Sequence, residues 1–298
     1  TRAGNTWAQQ GPKLVGSGGV GPSQQGGSVA LSADGDTLIV GGARDDADAG
    51  AAWIWTRTSG VWTQQGSKLL GAGAVGPAGQ GYSVALSADG NTALIGGVSD
   101  DSDVGAVWVW TRTGRMWSQQ GQKLVGTNPL GQRRGYGVAL SRDGNTAAVV
   151  GVSSDRGTAA TWFWARDGGS WTEQGFGNVG TNVALSPSMI SSVTMSGDGN
   201  TAVVGYWPDN QGAGAAWVWR RASGIWTQDG PKLVGTGALG RGAQGRAVAL
   251  SADGRTLAVG GFFDNEDPFG PLLLSPGPAG TAAFVSETVR DNSSMLPG

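Results

Sequence analysis

The chain of 298 residues contains no histidine and no cysteine. Without histidine there is no Ser-His-Asp triad, no imidazole base and no imidazole metal ligand. Without cysteine there is no disulfide, thiolate nucleophile, iron–sulfur cluster or zinc–thiolate site. Glutamate is scarce: Glu173, Glu266 and Glu287. No apolar run approaches the roughly 18 residues that span a bilayer. The formal net charge is −2, from 20 basic and 22 acidic residues, and no Lys/Arg-rich run occurs. A nucleic-acid or anionic-membrane footprint is therefore not expected. The sequence opens at Thr1 without Met or a signal peptide, as expected of a processed or truncated polypeptide.

What is abundant is glycine, with 56 residues, and tryptophan, with 14. Glycine averages roughly 7 % in proteins, so this is an excess of more than twofold. It follows no collagen period, and the apolar content suffices for a large core. The explanation is an internal repeat. A Ser-x-Asp-Gly turn recurs at Asp34, Asp89, Asp143, Asp198 and Asp253, at steps of 54 or 55 residues. A Trp-x-x-Gln-Gly element recurs at Trp7, Trp62, Trp117 and Trp171, with a diverged copy at Trp226. Five copies of one unit fill the chain.

One unit reads as four strands. In the second copy these are A (83–87), B (92–97), C (105–111) and D (116–126). Strand enrichment and alternation support them, and Asp-Gly between two apolar runs is a strong hairpin signal. The pattern predicts an all-β fold, a five-bladed β-propeller of four-stranded antiparallel blades. The domain is expected over 1–287, with 288–298 as a C-terminal tail. A strand D at Trp7–Gly16 precedes any A, B or C, and the last unit has A, B and a C-like strand (281–287) but no D. The N-terminal strand is therefore expected to complete the last blade and close the ring.

The unit resembles the FG-GAP repeat of integrin-α-like propellers. The residues that carry the likeness are Gly81-Tyr82-Ser83-Val84-Ala85, Gly96-Gly97-Val98 and Gly105-Ala106-Val107-Trp108-Val109-Trp110. The resemblance implies a propeller and an extracellular adhesive role. It also implies an Asp-rich calcium loop between A and B, which is shortened here to Ser-Ala-Asp-Gly-Asn-Thr. Members usually have seven blades, so five copies mean a five-bladed ring or a piece of a longer array, and the terminal interlock favours the ring.

A–B and C–D turns share one end of each blade, B–C and D–A loops the other. The A–B turns are tight and repeat closely, whereas the D–A loops are long and Gly-rich, so binding is expected on the B–C/D–A face. Tyr82, Tyr136, Tyr206 and Trp207, at strand ends beside those loops, are candidate stacking residues, with Asp209 and Asn210 beside them. The acidic B–C loops read either as a solvated rim or as hard-cation ligands, Asp45, Asp46 and Asp48, and Asp100, Asp101 and Asp103, for Ca²⁺. The tryptophans two apart in strand C read as inter-blade core. The recurrent Lys13, Lys68, Lys123 and Lys232 read as framework residues with solvated heads. Leu272, Leu273 and Leu274, in a Pro- and Leu-rich insert, suit a partner interface.

Three functions are consistent with these residues. The favoured one is a non-catalytic binding module for a glycan or protein, in an extracellular, cell-surface or periplasmic setting. The second is a structural subunit of a larger assembly. The third is a two-carboxylate glycoside hydrolase, disfavoured because strand A carries no carboxylate before its turn.

Overall fold

A computed structural model describes residues 1–127, 133–152, 159–178, 191–237, 242–261 and 282–286. The chain opens with a hairpin, β1 (Arg2–Ala3) and β2 (Thr6–Trp7). The first sheet holds β3 (Ser28–Leu31), β4 (Thr37–Gly42), β5 (Ala51–Thr58) and β6 (Val61–Gln64). The second holds β7 (Gln80–Leu86), β8 (Thr92–Gly97), β9 (Ala106–Thr113) and β10 (Met116–Gln119). The third holds β11 (Gly137–Leu140), β12 (Thr146–Val152), β13 (Ala159–Asp167) and β14 (Ser170–Asn178). The fourth holds β15 (Ser191–Met195), β16 (Thr201–Tyr206), β17 (Ala215–Ala222) and β18 (Ile225–Gln228). These four sheets are antiparallel meanders. The fifth holds β19 (Ala247–Leu250), β20 (Leu257–Gly261) and β21 (Ala282–Ser286). The fold is all-β and propeller-like, with successive sheets packed through their inner strands: β3 on β7, β7 on β11, β11 on β15, β15 on β19.

Two expectations are corrected. The N-terminal segment is not a bare strand D from Trp7 to Gly16. Arg2 pairs with Trp7 as Arg57 pairs with Trp62 and Arg112 with Trp117, so the first residues form the tip of a C–D hairpin. The last C-like strand, β21, runs parallel to β20 rather than antiparallel. Its 20-residue connection (262–281) replaces the short B–C loop of the other units, and a connection of a dozen residues or more is what a parallel return requires.

The core lies between sheets. Trp53, Trp108, Trp162 and Trp217 are at most 1 % exposed. Trp108 and Trp110 pack with Ile39 and Ile54 of the preceding sheet and with Val84 and Ile95 of their own. Glycine is needed where backbone meets the next sheet's backbone or a core indole. A Cβ on Gly96 would lie 2.3 Å from the Gly135 carbonyl oxygen of the next sheet, and one on Gly71 would lie 2.1 Å from Trp108 Cδ1.

The A–B turns are built alike. Ser87 Oγ donates to Asp89 Oδ1 (2.5 Å) and accepts from the Thr92 amide (2.9 Å), while the Asn91 amide donates to Asp89 Oδ1 (3.0 Å). The turns are also stitched to one another. The amides of Ala33, Ala88, Arg142 and Gly197 donate to the carbonyls of Ala88, Arg142, Gly197 and Ala252 in turn, at 2.8–2.9 Å. Beside them, Gln65 Oε1 of one sheet accepts from Arg112 Nη1 (3.2 Å) and Trp117 Nε1 (3.0 Å) of the next, and Gln120 does the same for Arg166 and Trp171.

Candidate functional site

The stitched A–B end leaves the opposite end as the one where loops vary. There the B–C loops form one-turn helices, α1 (Asp45–Asp48), α2 (Asp100–Asp103) and α3 (Asp209–Gly212). Their middle residues are left-handed: Asp46 and Ala47 lie at φ 49° and 51°, and Asp101 and Ser102 at 51° and 57°. L-residues in this region cost about 1–2 kcal/mol each, so surrounding bonds must hold the turn. They are visible. The Asp46 amide donates to the Val20 carbonyl, the Gly50 amide to the Asp45 carbonyl, and the Gly79 amide to the Asp48 carbonyl.

The first residue of each turn faces inward. Asp45 is fully buried; its Oδ2 accepts from Lys68 Nζ, and its Oδ1 accepts from the Val20 amide (2.8 Å) and Ser23 Oγ (2.7 Å). Asp100 pairs with Lys123 at 2.5 Å and Asp209 with Lys232 at 2.6 Å. Burial alone would raise the Asp45 carboxyl; the bonds from Lys68, Val20 and Ser23 outweigh it and hold the group below the ordinary value.

Of the two readings of the acidic loops, this geometry does not favour calcium. The ammonium groups of Lys68 and Lys123 stand where a cation would. The remaining carboxylates diverge: Asp46 and Asp101 are exposed, Asp48 pairs with Arg44 (3.1 Å), and Asp103 pairs with Arg133 (3.2 Å). Among the described residues no three carboxylates converge to hold a metal ion, so these loops do not fit the oxygen cage that Ca²⁺ requires. Three of the four lysine heads read as solvated, those of Lys68, Lys123 and Lys232, are the buried carboxylates' partners, whereas Lys13 is exposed. That pairing was readable in the sequence, because each Lys follows its Asp by 23 residues in three units.

The aromatic candidates separate into two groups. Tyr82 and Tyr136 stand at or just before the starts of neighbouring inner strands, their ring centroids 5.0 Å apart and their planes inclined at 51°. Tyr82 is 39 % exposed and Tyr136 half-buried. Burial first, and then the hydrogen bond with Tyr82, raise the Tyr136 hydroxyl above its ordinary pKa, while Arg133 and Arg246 act the other way. Arg246 thus lies within electrostatic reach of the pair. It was not singled out from sequence, although it occupies in its unit the position of Tyr82 and Tyr136, directly after Gly245 as they follow Gly81 and Gly135.

Tyr206 and Asp209 belong elsewhere. Tyr206 is 1 % exposed and sits in the cluster of Val150, Val204 and Trp217, so it is a core residue rather than a surface contact. Its position is taken by Gly42 and Gly97 in the first two units, and the larger side chain fills inter-sheet space there. Asp209 is spent on Lys232. Trp207 is half-buried and Asn210 is exposed at the left-handed position of α3. Leu272, Leu273 and Leu274 lie outside the described residues, as do Asp155, Asp264, Glu266, Asp267, Glu287 and the tail 288–298. Among the described residues no helix is long and apolar enough to cross a membrane.

No family model and no curated protein matches the sequence. Solved structures do resemble the fold. A protein from Lactobacillus plantarum aligns with 81 % of this chain at a TM-score of 0.50 and 16 % identity, and TolB from Acinetobacter baumannii with 76 % at 0.43 and 13 %. Hydrazine synthase from Kuenenia stuttgartiensis aligns with 85 % at 0.44 and 15 %. The chain spans 66 %, 46 % and 77 % of those three chains, respectively. At 16 % identity the likeness to the Lactobacillus plantarum protein extends to the fold alone.

Proposed function

We propose that the chain is a non-catalytic binding module, extracellular, cell-surface or periplasmic, built as a closed ring of five FG-GAP-like blades. It takes a glycan or protein on the B–C/D–A face. The observation that carries the binding reading is the Tyr82–Tyr136 pair at the inner-strand starts, with Arg246 and Arg133 nearby. Exposed aromatic rings flanked by guanidinium groups on a rigid frame are the usual anchors of recognition. A glycan array and a pull-down with the full chain, each repeated with Tyr82→Ala, test it. Binding that is lost in the variant supports the reading; two empty screens, or binding indifferent to Tyr82, reject it.

Ring closure is supported by how the N-terminal segment already sits. Gln10 accepts from Arg57 as Gln65 does from Arg112, and Gly16 lies against Trp53 as Gly71 does against Trp108. Residues 10–16 therefore occupy the place of a preceding blade's outer strand. Val29 is 60 % exposed, whereas Val84, at the same register one unit on, is 7 % exposed beneath the first sheet. The fifth sheet is the occupant proposed for this open face, because residues 10–16 would supply its missing strand.

A further inference from the structure

Away from the loop end, a cavity of about 360 Å³ opens between the second and third sheets. It lies at the outer edge, beside Gln120, where the chain makes a detour through Gly121, Gln122 and Lys123 before Leu124 rejoins β9 opposite Val107. The third sheet supplies the facing wall, with Trp164, Ser170 and Trp171. Arg166 covers Trp171 at 5.4 Å from the ring centre, and Trp171 Nε1 is fixed on Gln120 Oε1 at 3.0 Å, so the indole is held in one orientation.

Three features define what would fit. The volume is at the small end of ligand pockets, which run from roughly 300 to 1,000 Å³, and suits one or two small rings. The walls combine two indoles with neutral amide and hydroxyl groups. Among the described residues the only charged side chain lining the cavity is Lys123, and its ammonium is paired with Asp100 at 2.5 Å. A phosphate or carboxylate would find no uncommitted cation there, and no lining carboxylate would attract a cation. A neutral polyhydroxylated ring has matching chemistry: a C–H face to lie on indole and hydroxyls for Gln122 and Ser170.

The entrance is also particular to this pair of sheets. Gly169 and Ser170 stand where the preceding unit has Arg115 and Met116. The rim here therefore carries no long side chain. We infer that this crevice is a lateral binding site for a neutral saccharide unit, distinct from the Tyr82–Tyr136 region and independent of its role.

The test is a titration of the full chain with the methyl glycosides of glucose, galactose, mannose and N-acetylglucosamine, followed by saturation-transfer NMR and calorimetry. One of them should bind saturably with a Kd on the order of 1 mM, as expected of a single ring on a small site. Ser170→Met, which restores the preceding unit's residue, and Gln122→Ala, at an exposed position, should each weaken binding about tenfold or more without changing Tm. Tyr82→Ala should leave it intact. The inference is overturned if no neutral glycoside binds, if binding ignores both rim variants, or if it is abolished by Tyr82→Ala and kept in Ser170→Met.

Discussion

Lys123 Nζ lies 2.5 Å from Asp100 Oδ2, and the Asp100 side chain is 1 % exposed. The pair ties the outer strand of the second sheet to the B–C loop, whose left-handed residues would relax without it. Removing the lysine strands a buried carboxylate, a change worth about 3–5 kcal/mol. Lys123→Met is therefore expected to lower the denaturation midpoint strongly. Lys123→Met combined with Asp100→Asn should recover part of the loss. Urea unfolding of the three proteins checks this, and equal midpoints for the lysine variant and the parent would contradict it.

The same pairing bears on calcium. With ammonium groups at the heart of the loops, millimolar Ca²⁺ is expected to leave the melting temperature unchanged, and chelator likewise. Thermal melts with and without each suffice; a calcium-dependent rise that disappears in Asp46→Asn would restore the loops as a cation site.

The turn carboxylates make acid stability predictable. At Asp89 and Asp143 burial opposes ionisation, but the bonds from Ser87 and Asn91, and from Ser141 and Asn145, outweigh it and hold both below the ordinary value. At Asp34 the Ser32 bond acts first in the same direction. Groups depressed in the folded state contribute stability that is complete above the unfolded value, roughly 3.9, and is lost as pH falls through the folded one. Melts between pH 6 and 2 should show stability level at first and falling below pH 4. Ser87→Ala, which also strands the buried Thr92 amide, should lose about 1–3 kcal/mol at neutral pH and flatten the acid dependence.

Close approach of blades can be probed by a single methyl. Gly96→Ala sets a Cβ against the Gly135 carbonyl, backbone that cannot step aside, whereas Gly27→Ala meets nothing nearer than 3.6 Å. The first should destabilise by about 1–3 kcal/mol and the second by much less. Comparable midpoints for the two would mean that the sheets sit farther apart than described.

Ring closure has its own signature. The ladder of A–B amides runs from Ala33 to Gly197, whose amide meets the Ala252 carbonyl. In a closed ring the Ala252 amide would donate to the Ala33 carbonyl and exchange with solvent as slowly as that of Ala88. Lys13 would then sit in the last blade as Lys68 sits in the first, and Lys13→Met would be as harmful as Lys68→Met. Fast exchange at Ala252 together with an innocuous Lys13→Met would leave the ring open.

Much of this architecture was legible because it repeats. The strands read at 83–87, 92–97, 105–111 and 116–126 appear as Gln80–Leu86, Thr92–Gly97, Ala106–Thr113 and Met116–Gln119. Strand D is interrupted after Gln120, whose amide still donates to the Val109 carbonyl while its side chain serves Arg166 and Trp171; the break falls at Gly121, which is left-handed at φ 69°. The inward pairs in strand C were read correctly, since a two-residue period fixes one face. The site was harder to read. Aspartates close in sequence suggested one cage, but left-handed turns send successive side chains to different partners. Tyr206 looked like its counterparts until its burial placed it in the core, and Arg246 was hidden by its difference from the tyrosines whose place it takes.

The chain of A–B turn amides also bears on how such a molecule can change over time. Turns that bond one to the next act as a drawn hem: each fixes the angle at which the following sheet leaves, and a residue added there would disturb every neighbour in the series. At the other end the sheets are joined through loop backbone, the Gln80 amide donating to the Ala49 carbonyl and the Arg134 amide to the Val104 carbonyl, and there it is the side chains that change: the third unit replaces Gln80 with Arg134 and the fifth places Arg246. The repeat is thus free to diversify in side chains at one margin while main-chain bonds at both margins preserve the spacing of the whole.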